Sequence, residues 1–390
     1  MTINLLLPLL TLLLLVCPIA GCWSNYELED RALVSGVGID LGQNGHLLVT
    51  TQIIIPMFTH TRGGATGGAV KEPAVEVFSA EARTVAEAVN KISKLCGREL
   101  FFPHLDILIV GEELARAGVE PVVDWVNRDR ELRLQTWFAV VNGTAAEALK
   151  VKKVGLESIT IAYVSRILEA SMRENTRALP VRFLDYFASL TENVDPVVSR
   201  IEISETGGDK MVFASGGSVF RDFHLVGWLT ETETRGYLWI TDQFRRGIIS
   251  VPLPGNGYIS VELRGNKVKR KVEFRGGNPV MVVDIAVKTN LDQVDDPLLT
   301  LENPEDLDAL EVPVEEKIAM EVQASVEKAR VLEADIFGFG QLIRRQYPKQ
   351  WADIKDDWDL IFPTVPVETE VKVTMRRTEQ ISSPARPGSY

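Results

Sequence analysis

The stretch MVFASGGSVFRDFHLVGWLTETETRGYLWI, residues 211–240, decides the fold class. Met211 to Phe220 and His224 to Leu229 read as two apolar-rich strands with only three residues between them. Thr230-Glu231-Thr232-Glu233 then has the spacing of a capping box, in which the Thr hydroxyl and the Glu carboxylate satisfy each other's backbone N–H groups, so a helix runs on through Arg235, Tyr237 and Trp239. Trp228 and Trp239 flank that helix, and tryptophans of this kind fill cores more often than they line contact surfaces. Glu233 and Arg235 on it fit a fold-stabilising polar cluster or a partner interface equally well, and the four residues together are interface candidates.

Toward the carboxyl end strand follows strand, at Tyr258 to Arg264, Lys267 to Phe274 and Pro279 to Thr289. Pro313 is expected to start the longest helix, with Val314, Ile318, Val322, Val326 and Ala329 at helical spacing and an end near Ile336, before Gly338 and Gly340. VETEVKVTMRRT from Val367 alternates apolar and charged residues, so this last strand keeps one wet face. The region reads as an antiparallel-rich sheet packed on one long helix, and the chain as a multidomain α+β protein of two to three such domains. Glu205-Thr-Gly-Gly-Asp-Lys210 marks the expected boundary, giving an amino-terminal region 22–205, a carboxyl-terminal α+β domain 206–380 and a flexible tail 381–390.

In the first half, strands and helices interleave. LVSGVGIDLGQNGHLLVTTQIII, 33–55, reads as a hairpin about Asn44-Gly45, the dipeptide that tolerates two positive φ angles. Gly36-Val37-Gly38 lacks the third glycine of a dinucleotide loop, and the Asp40 to Gly45 run lacks the closing Glu of a calcium loop. Residues 62–68 are glycine-rich and read as a mobile loop. A helix follows from Thr84, a buried strand at 101–110, a helix from 112, a strand at 132–141 and a helix opened by the Thr144/Glu147 capping box. Residues 156–190 read as mainly helical and as a separate helical lobe.

The amino terminus addresses location. Residues 5–16 are apolar apart from Pro8 and Thr11, short of the ~20 residues needed to span a bilayer but sized for a signal-peptide core. Ile19-Ala20-Gly21-Cys22 follows and resembles a bacterial lipobox, so 1–21 reads as a lipoprotein signal peptide and Cys22 as the S-diacylglycerol, N-acylated attachment point. The pattern departs from the usual one in having no Lys or Arg before the apolar run. Of three cysteines, Cys17 leaves with the signal peptide and Cys22 is acylated; Cys96, left alone, is a small buried hydrophobe with no disulfide to make.

A net charge of −12, a pI near 5.1 and the lack of a long basic run in the sequence argue against nucleic-acid binding, which requires a basic stripe. An acidic body is repelled by an anionic leaflet, so membrane attachment falls to two or three acyl chains on one cysteine.

GCWSNYELEDRALVSGVGID, GREL with HLDILIVGEELARAG, VFRDFHLVGWLTETETRGYLWI and DIFGFGQLIRRQYPKQWADIKDDWDLIF together resemble the Ger(x)C family, the lipoprotein C subunits of bacterial spore germinant receptors. The resemblance spans nearly the whole chain beyond the signal peptide in the expected order, with Glu379 standing where the family often has Gly. It implies a non-enzymatic subunit of α+β domains in a three-domain arrangement. It further implies a subunit anchored by its acylated cysteine to the outer face of the spore inner membrane, acting with integral-membrane A and B subunits in nutrient-triggered germination. Contact with the nutrient is left open.

The residues themselves offer no catalytic, cofactor-binding or metal-ligating constellation. His46, His60, His104 and His224 are scattered without zinc-site spacing, and neither a G-x-S-x-G elbow nor a Walker loop occurs. Asp295-Asp296 and Asp356-Asp357 lie in polar stretches that read as solvated surface. An extracytoplasmic solute-binding lipoprotein is the alternative reading, but that fold calls for two lobes of repeated strand-helix-strand units, against the succession of strands from 211 to 290.

Overall fold

The computed structural model describes residues 30–55, 75–151, 160–173, 178–206, 209–253, 257–295 and 304–376. The apolar run 5–16, Cys22, the glycine tract 62–68 and the tail beyond 380 lie outside them.

Strands β1 (Arg31–Leu41) and β2 (Leu47–Ile54) pair antiparallel about Asn44 and Gly45, whose φ values of 53° and 75° are those the dipeptide supplies cheaply. β3 (Val75–Ala82) adds to β2. Helix α1 (Val85–Cys96) is capped by the Thr84 hydroxyl and ends at Gly97 in the left-handed region, delivering the chain to β4 (Glu99–Phe101) and β5 (Ile107–Gly111), both parallel to β1. The single strand expected at 101–110 is thus two, with Phe102 to Asp106 leaving the ladder around Pro103, which has no N–H to pair.

Helices α2 (Glu112–Ala117) and α3 (Glu120–Arg128) lead to β6 (Trp137–Asn142), and α4 (Ala145–Lys150) follows with its Thr144 cap in place. Then come α5 (Thr160–Arg173), α6 (Phe183–Thr191), β7 (Val197–Thr206), β8 (Asp209–Arg221) and β9 (His224–Leu229). They complete a sheet in the order β3-β2-β1-β5-β6-β7-β8-β9, with β4 beside β1. Its four central strands β1, β5, β6 and β7 are parallel, and both flanks are antiparallel.

Because the central strands are covered on both faces, they are apolar throughout. Leu108, Val110, Phe138 and Val140 join one cluster, and Ile107, Ile109, Ala139 and Val141 the other. α5 places Ile161, Val164 and Leu168 in the second cluster, whereas α6 places Phe183 and Tyr186 in the first. The separate helical lobe expected at 156–190 is therefore corrected: its two helices lie on opposite faces of the sheet, because each apolar stripe has a sheet face to bury.

The second sheet runs β10-β11-β12-β13, from β10 (Ile248–Pro252), β11 (Tyr258–Arg275), β12 (Asn278–Asp295) and β13 (Val367–Arg376). The two strands expected at 258–274 are one, with the pairing register shifting at Ser260/Val261 and at Leu263/Gly265. Helix α7 (Glu231–Ile240) precedes this sheet, and α8 (Pro304–Val331), α9 (Phe339–Gln346), α10 (Pro348–Ile354) and α11 (Trp358–Ile361) separate β12 from β13. β12 and β13 are parallel, as so long a crossover permits.

α8 begins at Pro304, so Pro313 lies inside the helix instead of starting it. Leu307 and Leu310 already occupy the buried stripe continued by Val314, Ile318, Val322 and Val326, and that burial outweighs the hydrogen bond lost at the proline. The expected class, α+β with a largely antiparallel sheet on one long helix, is what the structure has. The boundary expected after residue 205 falls within the β7–β8 hairpin, so β8 and β9 belong to the first sheet, and the division by sheets comes after Leu229.

Candidate functional site

The stretch 224–240 was the sequence's candidate interface, and each of its four candidate residues has a contact inside the chain. In the α7 capping box the Glu233 N–H donates to the Thr230 hydroxyl at 3.3 Å, and the Thr230 N–H donates to Glu233 Oε2 at 2.7 Å. One turn on, Arg235 Nε donates to Glu321 Oε1 and Trp239 Nε1 to Glu321 Oε2, both at 2.9 Å. Arg235 and Trp239 are four positions apart, so both project from one helix face onto the same carboxylate of α8. The Glu321 side chain is 2% exposed and that of Arg235 17%, with Lys317 Nζ a further 3.6 Å from Glu321 Oε1. Trp239 also stacks on Phe244 at 4.1 Å, and the Arg235 guanidinium lies over the same ring at 4.9 Å.

Gly236 sets how closely α7 and α8 approach. A Cβ there would overlap the Glu321 carbonyl oxygen and crowd the Ser325 Cβ at 2.7 Å. The expectation that α7 offers Arg235 and Trp239 to a partner is therefore corrected, since both are spent on a buried carboxylate 86 and 82 residues downstream. Trp228, on edge strand β9, is half-buried and lies 5.0 Å from the Arg200 guanidinium. It and Glu233 keep part of their surface open.

Three further carboxylates, Asp335, Asp195 and Asp40, were not singled out as sites. Asp335, in the DIFGFG segment, accepts from the N–H groups of Phe339 (2.9 Å) and Gly340 (2.7 Å) and from Trp358 Nε1 (3.1 Å), tying the start of α9 to α11. Its own N–H donates to Asp195 Oδ2 at 2.6 Å, linking the α6–β7 connection of the first sheet to the chain beyond α8. Burial raises the pKa of both acids, and Asp195, with Asp335, Asp359 and Asp222 nearby, is pushed up to about 7. Asp40, at the end of β1, accepts from the Ala145 and Ala146 N–H groups at 2.7 and 2.8 Å and so caps α4 from across the sheet. The sequence signal for all three is an Asp in an apolar context, which does not name its partner.

His46 lies 3.7 Å from Glu81, His104 and His224 are exposed elsewhere, and His60 is outside the described residues. Among the described residues no cluster of His, Cys, Asp or Glu has the arrangement of a metal site, and no helix is long and apolar enough to cross a membrane. An open groove of about 590 Å³ beside α1, lined by residues such as Asn90, Lys94, Arg98 and Glu131, brings no nucleophile and base together.

Comparison with known proteins matches residues 24–203 to the family model "Spore germination protein N-terminal domain" and residues 215–379 to "Spore germination B3/GerAC like, C-terminal". Spore germination protein KC of Bacillus subtilis (strain 168) is 28% identical over 394 residues, covering 96% of each chain. Spore germination protein GerQC of Bacillus cereus is 22% identical, covering 91% of this chain and 94% of its own. The crystal structure of the GerBC protein superposes with a TM-score of 0.58 at 19% identity, over 87% of this chain and 96% of that one, and so shares the fold.

Proposed function

Because the chain belongs to the Ger(x)C family of spore germination proteins, we propose that it is a non-enzymatic, lipid-anchored subunit of a spore germinant receptor. It acts beside integral-membrane A and B subunits and is held by acylated Cys22 on the outer face of the spore inner membrane. The observation that carries the reading is similarity to a spore germination protein along 96% of both chains. The site geometry supports it as well. The buried polar groups of 224–240 and 335–358 are committed to holding helices together, which suits a subunit whose work is to present surfaces. Of the four residues the sequence singled out, Trp228 and Glu233 keep exposed surface and are the proposed partner-facing pair.

The test is Cys22→Ala at the native locus, followed by fractionation of spore membranes and a germination assay. The expected result is loss of the protein from the inner-membrane fraction together with loss of nutrient-triggered germination. An alanine variant that is still processed before residue 22 and fully membrane-bound would overturn the anchor. A variant that is released yet germinates normally would overturn the receptor role.

A further inference from the structure

The second sheet has one face on α7 and α8 and one face bare of described elements, and the bare face carries the unusual charge. By register, Lys267 on β11 stands beside Ala286 on β12, and Ala286 beside Lys372 on β13. The next position of β12 is Lys288, opposite Thr374, and the one beyond pairs Asn290 with Arg376. Arg264 lies alongside on β11, 3.1 Å from Glu262, the one carboxylate on the strands at this level. Strands are spaced about 4.8 Å and alternate residues about 6.8 Å, so five cations crowd a patch roughly 10 by 15 Å around an exposed alanine. Lys267, Lys288, Lys372 and Arg376 are exposed, and among the described residues none forms an ion pair. One row further, Lys269, Asp284 and Glu370 return the face to balance.

Like charges gathered on neighbouring strands repel and cost stability, and here they do so in a molecule of net charge −12. The β13 edge offers no competing explanation, because α8 carboxylates occupy it: the Val373 N–H donates to Glu315 and the Met375 N–H to Glu311, at 2.9 and 2.6 Å. We propose that this open sheet face is a docking surface for an anionic lipid bilayer, turning the rest of the acidic body away from the leaflet. The composition favours lipid over a protein partner. Three of the five cations are lysines and the patch centre is Ala286 with Thr374 beside it; the exposed Ile248 stands off to one side, on β10 opposite Glu262. Protein interfaces are depleted in Lys and depend on aromatic anchors, whereas anionic headgroups reward each Lys or Arg near the surface regardless of pattern.

This inference deepens the anchored reading, and the test separates the two. The full chain carrying Cys22→Ala, which bears no acylated cysteine, is floated with phosphatidylcholine vesicles and with vesicles that also contain phosphatidylglycerol, at low and high salt. The expected result is a gain in binding on phosphatidylglycerol that high salt removes. Adding Lys267→Glu, Lys288→Glu and Lys372→Glu should lower partitioning by more than about a hundredfold, since loss of the three cations alone is worth about fivefold each. The melting temperature should hold or rise, since all three side chains are exposed and their mutual repulsion is removed. Should the Glu variant misfold, the Lys→Gln triple gives the same reading, with a smaller loss. Equal binding to both vesicle types overturns the proposal, and so does an unchanged phosphatidylglycerol gain in the triple variant. A triple variant that binds vesicles normally but loses an acidic co-purifying protein assigns the face to that protein instead. Failure of the anchor would show in spore fractionation and leave the vesicle result untouched.

Discussion

Replacing Arg235 by Ala tests whether the α7–α8 contact is structural. The substitution leaves the Glu321 carboxylate, 2% exposed, with the Trp239 N–H and with Lys317 Nζ at 3.6 Å, but without its closest cation. Removing one member of a buried pair costs about 3–5 kcal/mol; the 17% exposure of Arg235 and the remaining lysine reduce this to about 2–3 kcal/mol. At about 2–4 °C per kcal/mol, the melting temperature should fall by roughly 5–10 °C. Arg235→Glu should cost more, because it sets two carboxylates against each other. Arg235→Met combined with Glu321→Leu removes both charges and should show a favourable coupling of at least about 1.5 kcal/mol relative to the summed single variants. The measurement is thermal and urea unfolding of the purified chain followed by circular dichroism. If Arg235→Ala melts within about a degree of wild type, Arg235 is not structural, and its place as a partner contact would reopen.

Gly236→Ala should destabilise by about 1–3 kcal/mol without changing any charge, since its Cβ meets backbone of α8 that cannot rotate away, and a lowered urea midpoint would show it. Asp195 has a folded pKa of about 7 against an ordinary value near 3.8, so the folded state holds its proton more tightly than the unfolded one. Stability from this group is therefore full below about pH 4 and is lost as the pH rises toward about 7. Asp195→Asn keeps an oxygen for the Asp335 N–H and removes the charge, so its melting temperature should exceed wild type at pH 8, and the gap should close by pH 4. A gap that does not vary with pH would refute this reading.

What the sequence disclosed was local. The Thr230/Glu233 box, the Asn44-Gly45 turn and the Thr144 cap each involve residues a few positions apart, and each forms as expected. The role of Arg235 was illegible because its partner is 86 residues away, and nothing in ETETR distinguishes a helix facing another helix from one facing solvent. Pro313 misled for a related reason. Proline marks a helix start when local propensity decides, but Leu307 and Leu310 extend the apolar stripe back beyond it, and burial decided. The helices of 156–190 carry apolar stripes that identify them as helices without saying which face of a sheet each will cover.

The position of β1 has a mechanical consequence. The strand enters its sheet at Arg31 and is held on both sides, by β2 along 33–41 and by β5 along 36–39. Tension applied at its amino-terminal end runs parallel to the strand, so the hydrogen bonds on both flanks resist together in shear and cannot be unzipped one at a time. A tether attached upstream of Arg31 would therefore pull on one of the most firmly gripped segments of the protein, and thermal jostling of the membrane would reach the whole sheet before it could peel off an edge.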